Sequence, residues 1–361
     1  MRRLLRAHWP YLGLILVFIP ALALLLPRSG QLVPRLEANT AAAATQRTSA
    51  HRGQLQPAQA IPAPSPVSPP IPEIVPRELG LSSASVLVID DAGQPLYAKA
   101  TRVQRPIASI TKLMTAMVVL DSGVPLDEPV TILEEDRDLM RHSRSRLRIE
   151  RAPTMQRGDI MAVALMSSDN RAASALGRTT LPGGKPAFVA AMNRKAAALG
   201  MTNSRFADPT GLDGNNLSTA EDLVKMIKAA ANYPLIHEIT TTGAMEIHPY
   251  GDQSTLHYRN TNPLVRDPNW QLELSKTGFI NEAGHCLVMR AVLGGRPLSI
   301  VLLNSIGKHT PVGDSMRLRK WLEPQAPRVA SLSVREQVLD ADMGDKARHA
   351  RVSGRPRAVG Q

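Results

Sequence analysis

The sequence predicts an α+β fold in which an antiparallel sheet, formed by both ends of one domain, packs against a helical block. Three observations support this fold class. A β-rich segment with a central turn occupies residues 85–98. Helical periodicities follow between residues 109 and 231, and three strand-like segments lie between residues 272 and 305.

The first elements are a hairpin and a long helix. Residues 85–89 are rich in β-branched side chains, Asp90-Asp91-Ala92-Gly93 has the composition of a turn, and residues 95–98 resume an extended pattern. In residues 109–121, apolar side chains recur at i, i+3, i+4, i+7 and i+8 from Ile110. The apolar positions are wide enough around this helix to predict that it is central in the domain.

More helices are expected in the middle of the chain. Residues 158–176 form a helical block that short polar residues interrupt at 167–170. Residues 186–199 form another helix, which Gly200 ends. The sequence Ser218-Thr219-Ala220-Glu221 is a capping box that would begin a helix running to about Ala231.

The last third of the domain changes to strands. Residues 272–279, 286–293 and 298–305 have extended patterns, and Gly294-Gly295 forms a tight turn between the last two. Residues 314–322 close the domain as a helix. Strands at both ends with helices between them predict the single sheet and its helical cover.

The ends of the chain have a different composition. Residues 1–28 combine a basic start with an apolar stretch at 9–26, which is typical of a signal peptide or a signal anchor. Residues 29–79 are rich in Pro, Ala, Gln and Ser and predict a disordered tether. We therefore expect one main folded domain at 80–325 and a basic flexible tail at 326–361.

Composition excludes several function classes. The net charge is +12, but the excess is concentrated towards both ends and aromatic residues make up only 3%, so nucleic acid is not expected as a partner. Cys286 is the single cysteine and opens an apolar run, which favours a buried strand residue over a nucleophile. The nine His show no metal-ligand spacing, so we expect no metal and no other cofactor.

Three short motifs carry the chemistry. They are Ser109-Ile110-Thr111-Lys112, Ser168-Asp169-Asn170 and Lys276-Thr277-Gly278, in that order along the chain. Each motif alone also fits a structural role, as a helix cap or as an exposed lysine near the end of a strand. The ordered set is the signature of penicillin-binding proteins and class A β-lactamases.

The first motif can supply a nucleophile and its base. Ser109 and Lys112 are three residues apart, so their side chains share one helix face. A serine hydroxyl needs a base, and a lysine can act as one if burial lowers its pKa. In the second motif, Ser168 would pass a proton and Asn170 would hydrogen-bond a substrate amide, with Asp169 in support.

The third motif would bind the substrate along an edge strand. Gly278 leaves room for another backbone to approach closely, as β-augmentation by a peptide requires. Lys276 and Thr277 would meet a carboxylate or the reacting region. The backbone N–H groups of Ser109 and Phe279 are the simplest oxyanion hole.

The chain resembles the low-molecular-mass penicillin-binding proteins of the D-alanyl-D-alanine peptidase family over residues 80–325, and most closely its endopeptidase branch of the penicillin-binding protein 7 type. Besides the three motifs, the resemblance depends on residues 164–173, 208–212, 217–220 and 260–264. It implies a β-lactamase/D,D-peptidase-like fold, an acyl-enzyme on Ser109, peptidoglycan stem peptides as substrate and β-lactam antibiotics as inhibitors. It also implies a periplasmic location, either soluble after signal cleavage or tethered to the inner membrane through residues 9–26.

Other functions remain as alternatives. The main function expected is cleavage of D-alanyl–diaminopimelate cross-links, and the alternative is a D-alanyl-D-alanine carboxypeptidase using the same groups. A class A β-lactamase would need a glutamate to activate the deacylating water, and none occurs between Asn170 and Glu221. A non-catalytic wall-binding protein is disfavoured because all three motifs are intact.

Overall fold

The structure, a computed structural model, describes residues 70–138 and 145–323. The predicted leader, most of the tether and the whole of the basic tail lie outside these residues. Within the described part, no helix is long and apolar enough to cross a membrane.

Strands at the two ends of the domain enclose the helices, as predicted. The strands are β1 Ser85–Asp90, β2 Pro95–Lys99, β3 Arg105–Pro106, β4 Pro129–Thr131, β5 Thr154–Gln156, β6 Leu217–Ser218, β7 Ala244–Ile247, β8 Leu256–Arg259, β9 Gln271–Ile280, β10 Gly284–Leu293 and β11 Arg296–Ser305. The helices are α1 Thr111–Asp121, α2 Arg157–Met166, α3 Asn170–Thr179, α4 Gly184–Ala198, α5 Ala220–Ala230, α6 Pro234–Thr241 and α7 Thr310–Leu322.

The main sheet is antiparallel and joins both ends of the domain. Its strand order is β2-β1-β11-β10-β9, so β1 from the N-terminal hairpin pairs with β11 from the C-terminal end. This arrangement leaves β9, which carries Lys276-Thr277-Gly278, at the edge of the sheet. The predicted fold class is confirmed, and the position of β9 exposes one backbone edge to the site.

Each face of the sheet is covered by a different set of helices. Along β1, Val86 and Val88 point to the face covered by α7, whereas Leu87 and Ile89 point to the helical block. This alternation follows from the two-residue period of a strand. The central helix α1 is buried from Thr111 to Val119, as its wide apolar surface predicts.

Several elements differ from the prediction. The prediction that Ser218 caps helix α5 is wrong, because Ser218 lies in β6. The capping residue is Thr219, whose side chain accepts a hydrogen bond from the Asp222 N–H at 3.2 Å. Glu221 instead accepts from the Thr101 hydroxyl at 2.8 Å. Helix α7 begins four residues before the predicted start, because Pro311 is tolerated in a first turn where its missing N–H is not needed.

Part of the predicted tether packs on the domain. Ile74 exchanges two backbone hydrogen bonds of 2.9 Å with Ala98 of β2, and Leu79 is buried among the residues of the α7 face. We therefore propose that the folded domain begins before Ile74. Helix α6 and the β7–β8 hairpin were not anticipated from the sequence.

Asp314 connects α7 to the start of β1 and is expected to contribute strongly to stability. Its buried carboxylate accepts hydrogen bonds from the Ser83 hydroxyl at 2.6 Å, the Ser83 N–H at 2.8 Å and the Ser82 N–H at 3.1 Å. Asp314→Ala leaves these donors without their acceptor, and we expect it to lower the free energy of unfolding by about 3 kcal/mol. Urea denaturation measures the loss. Asp127→Ala removes an exposed carboxylate and should change stability by less than about 0.5 kcal/mol; equal effects of both variants would contradict the prediction.

Candidate active site

The three motifs meet in one place although they are far apart in the chain. Ser109 lies in the short 3-10 turn Ala108–Ile110 that leads into α1, and Lys112 is in the first turn of that helix. The second motif forms the break between α2 and α3, and the third lies within β9. The structure therefore brings the sequence-predicted side chains Ser109, Lys112, Ser168, Asn170 and Lys276 together.

Lys112 is the centre of a buried hydrogen-bond network. Its Nζ lies 2.8 Å from the Ser109 Oγ, 2.7 Å from the Asn170 Oδ1 and 2.6 Å from the Thr210 carbonyl oxygen. The side chain is only 1% exposed. Burial disfavours the charged form and lowers the pKa of Lys112 to about 7, although the charges of Asp208 and Asp169 act in the opposite direction.

Lys276 forms the opposite side of the site. Its Nζ donates to the Ser168 Oγ at 2.9 Å and to the Thr277 carbonyl at 3.0 Å. The side chain is 1% exposed, and burial together with the positive charge of Lys112 lowers the pKa of Lys276 well below its ordinary value. Two buried amines thus give the site a positive potential whenever either is protonated.

The break between α2 and α3 is held by Asp169. Its carboxylate caps α3 by accepting from the Ala172 N–H at 3.1 Å, and burial raises the pKa of this carboxyl. Ser168 before it has φ of +63°, a left-handed conformation that is strained for a residue with a side chain. The cap and the strain together direct the Ser168 hydroxyl to Lys276 and the Asn170 carboxamide to Lys112.

Gly278 is in close contact with the turn that carries Ser109. A Cβ built on Gly278 would lie 3.0 Å from the Ile107 carbonyl oxygen and 3.0 Å from the Ser109 nitrogen. Only glycine allows β9 to approach the backbone of this turn so closely. Phe279 follows on the edge strand, where its ring is 47% exposed and stacks on His285 with centroids 4.2 Å apart.

The loop at 208–212 is a part of the site that the motifs did not reveal. The Thr210 carbonyl accepts a hydrogen bond from the Lys112 amine, and Gly211 packs on the backbone of Ala108 and Ser109. Asp208 holds the loop by accepting from the Thr210 hydroxyl at 2.7 Å and the Gly211 N–H at 2.6 Å. A signal was present in the sequence, because this stretch was one of those that carried the family resemblance.

Cys286 lies within β10 and is 2% exposed, as its apolar neighbours predicted. Burial raises the pKa of its thiol to about 11, which does not favour a thiolate nucleophile. In the described ranges 70–138 and 145–323, no group of three or more His, Cys, Asp or Glu is arranged to hold a metal ion.

Comparison with known proteins agrees with this geometry. The D-alanyl-D-alanine carboxypeptidase family matches residues 73–307. A protein of Pseudomonas aeruginosa named D-alanyl-D-alanine endopeptidase is 48% identical over 257 residues, which cover 71% of this chain and 82% of that protein. The protein of the same name from Escherichia coli is 45% identical over 244 residues, covering 67% of this chain and 78% of that protein.

Solved structures support the same relationship. The Streptomyces K15 DD-transpeptidase superposes with a TM-score of 0.62 at 26% identity, covering 70% of this chain and 98% of that chain. The D-alanyl-D-alanine carboxypeptidase of Mycobacterium tuberculosis gives a TM-score of 0.61 at 28% identity, covering 73% and 97%. The chain therefore belongs to the D-alanyl-D-alanine carboxypeptidase family and is a serine-type D,D-peptidase of the penicillin-binding fold.

Proposed function

We propose that this protein is a peptidoglycan endopeptidase that cleaves D-alanyl–diaminopimelate cross-links between stem peptides through an acyl-enzyme on Ser109. The contact that carries the proposal is the 2.8 Å hydrogen bond between Ser109 Oγ and Lys112 Nζ, inside a site where burial lowers the lysine pKa to about 7. The names of the relatives that are 45–48% identical support the endopeptidase reaction over the carboxypeptidase reaction.

The surroundings of Lys112 explain how it would act as a base. A neutral amine has two hydrogens and one lone pair, so it can form three hydrogen bonds. Lys112 has three neighbours within hydrogen-bond distance in the site. The Asn170 Oδ1 and the Thr210 carbonyl can only accept, so they take the two hydrogens. The lone pair is then directed at the Ser109 hydroxyl, which alone has a hydrogen to give.

Acylation follows from this arrangement. Lys112 takes the proton of Ser109 as the oxygen attacks the D-alanyl carbonyl, and the N–H groups of Ser109 and Phe279 stabilise the oxyanion. Ser168, which accepts a hydrogen bond from Lys276, is placed to pass a proton to the leaving amine. Water then hydrolyses the ester and regenerates the free hydroxyl.

The remaining predicted residues bind the substrate in this proposal. The peptide adds to the exposed edge of β9 beside Gly278, Asn170 presents its carboxamide to a substrate amide, and Lys276 and Thr277 face the carboxylate on the leaving side. β-Lactams acylate the same serine, as the family relationship implies. We also propose a periplasmic location, with residues 9–26 acting as a cleaved signal or as a membrane anchor.

Digestion of defined muropeptides tests the reaction. Purified protein is incubated with cross-linked dimers and, separately, with pentapeptide monomers, and the products are separated by liquid chromatography with mass detection. We expect dimers to be converted to monomers faster than terminal D-alanine is released. Preferential release of D-alanine would instead establish a carboxypeptidase. Peptide mapping after penicillin labelling should place the adduct on Ser109, and an adduct elsewhere would refute the assigned nucleophile.

A further inference from the structure

Arg146 lies in an irregular segment that packs against the second motif. The preceding residue, Ser145, donates a hydrogen bond from its hydroxyl to the Asp169 carboxylate. The following residue, Leu147, is fully buried, and its carbonyl accepts a hydrogen bond at 2.5 Å from Arg171 in the first turn of α3. Arg146 itself is exposed. Because both of its neighbours are anchored, its backbone has a fixed position at the rim of the active site.

The guanidinium of Arg146 is held in place by β8. It donates a hydrogen bond to the carbonyl of His257, and its Cζ lies 5.8 Å from the centroid of the buried Tyr258 ring. The hydroxyl of Tyr250 donates to the Arg146 carbonyl at 3.0 Å. A guanidinium has five N–H donors in a planar fork. The bond to His257 therefore leaves several donors of a positioned cation for a ligand.

Arg146 differs in its charge environment from two neighbouring arginines. Arg151 pairs with Asp252, and Arg171 pairs with Asp138 at 3.0 Å. No carboxylate in the part of the chain that the structure describes lies within salt-bridge distance of the Arg146 guanidinium, whose contacts are a carbonyl and a ring. Arginine binds carboxylates through two parallel hydrogen bonds. A fixed guanidinium without a counter-charge is therefore suited to an anionic ligand.

The position of Arg146 identifies the side of the substrate that it faces. β8 leads to Thr261, whose hydroxyl lies 2.6 Å from the hydroxyl of Thr277 on β9. In the proposed function, Thr277 is on the leaving side of the scissile bond. His257, which holds Arg146, precedes Thr261 by four residues, and an extended chain spans that separation in at most about 14 Å. Arg146 is thus within reach of a leaving group that extends past Thr277.

We propose that Arg146 binds the carboxylate at the far end of the leaving stem peptide and so selects cross-links over D-alanyl-D-alanine ends. This inference rests on the proposed function and names its specificity-determining residue. Diaminopimelate has one carboxylate beside the leaving amine. Its other end, whether free or extended by a D-alanine, terminates in a second carboxylate. The D-alanine released by a carboxypeptidase has the first carboxylate alone, so a cross-link is the substrate that can bind Arg146.

Substrates with and without the second carboxylate test the proposal. The value of kcat/KM is measured for cross-linked dimers and for pentapeptide monomers with the wild type, Arg146→Gln and Arg146→Lys. We expect Arg146→Gln to lower kcat/KM for dimer cleavage about 10-fold, because a hydrogen bond between two charged groups is lost. Release of D-alanine and acylation by benzylpenicillin, which lacks the second carboxylate, should change by less than about 2-fold. Arg146→Lys keeps the charge without the planar fork and should restore part of the dimer rate.

Arg151 provides the matched control. Its guanidinium also lies over a tyrosine ring, 3.8 Å from the Tyr250 centroid, but it already pairs with Asp252. Arg151→Gln makes the same change in charge and should leave all three rates at the wild-type values. The proposal is overturned if Arg146→Gln cleaves dimers at the wild-type rate. It is also overturned if the variant slows penicillin acylation as much as dimer cleavage, which would indicate a structural effect on the second motif.

A competition experiment separates this inference from the endopeptidase reaction. The free stem peptide that a cross-link would release is added as a competitor of penicillin labelling, so its binding is measured without any cleavage. The wild type should bind this peptide about 10-fold more tightly than Arg146→Gln. Failure of the wild type to cleave dimers would refute the endopeptidase reaction, whereas equal competition with both proteins would refute the role of Arg146.

Discussion

Lys112→Ala is expected to lower the rate of acylation by penicillin by about 10³-fold, which is the usual contribution of a positioned general base. The variant removes the amine whose lone pair is directed at the Ser109 hydroxyl, 2.8 Å away. Lys276→Ala should keep a larger share of the rate, because Lys276 contacts Ser168 rather than Ser109. Stopped-flow or gel-based labelling with a fluorescent penicillin measures the rates.

Two controls make this result interpretable. Ser109→Ala removes the acceptor of the acyl group and sets the background of the labelling assay. Lys225→Ala removes a lysine on α5 that contacts the Gly200 carbonyl and Asp222, outside the site, and should label like the wild type. Labelling of Lys112→Ala within about 10-fold of the wild-type rate would show that another group is the base.

The pH dependence of acylation should report the same group. The base must be neutral, and the pKa of Lys112 is lowered to about 7, so the reactive fraction rises with pH. Between pH 6 and pH 8 that fraction increases from about one tenth to about nine tenths, and the rate should level off above this range. A rate that continues to rise tenfold per unit up to about pH 10 would indicate a lysine with its ordinary pKa and would contradict the buried base.

Gly211→Ala is expected to abolish most acylation and to destabilise the protein. Its Cβ would lie 2.0 Å from the Ala108 carbonyl oxygen and 2.9 Å from the Ser109 nitrogen, distances that real Cβ atoms do not reach. The backbone of the Ser109 turn must therefore move, and displacement of reacting groups by about 1 Å can cost about 100-fold in rate. Penicillin labelling and thermal denaturation measure the two effects.

Gly200→Ala is the control that separates the effect of the steric overlap at Gly211 from the cost of placing an alanine in a left-handed backbone conformation. Gly200 has φ of +69° and Gly211 has φ of +81°, so an alanine at either position carries the strain of a left-handed conformation, about 1–2 kcal/mol. No atom lies within 4 Å of a Cβ built on Gly200. Gly200→Ala should therefore lose some stability and keep the wild-type labelling rate. Equal labelling by the two variants would show that Gly211 does not position Ser109.

Local patterns in the sequence were sufficient for most of the architecture. The period of two in β1 and the repeat of three and four in α1 are properties of neighbouring residues, so they can be read without knowing the fold. The β7–β8 hairpin and helix α6 were not predicted because they are too short to show a clear repeat. Their stability depends on packing against distant elements, which a local pattern does not record.

The motifs identified the reacting groups from the sequence, but their pKa values and the distances between them depend on the folded structure. The residue types and their order identified Ser109, Lys112, Ser168, Asn170 and Lys276. The lowered pKa of Lys112 results from its burial, and the Thr210 carbonyl that it contacts in this buried position is 98 residues away in the chain. The contact of Thr261 with Thr277 and the approach of Gly211 to Ser109 likewise depend on loops meeting in space. Residue identity is encoded locally, whereas burial and distance arise only when remote segments pack together.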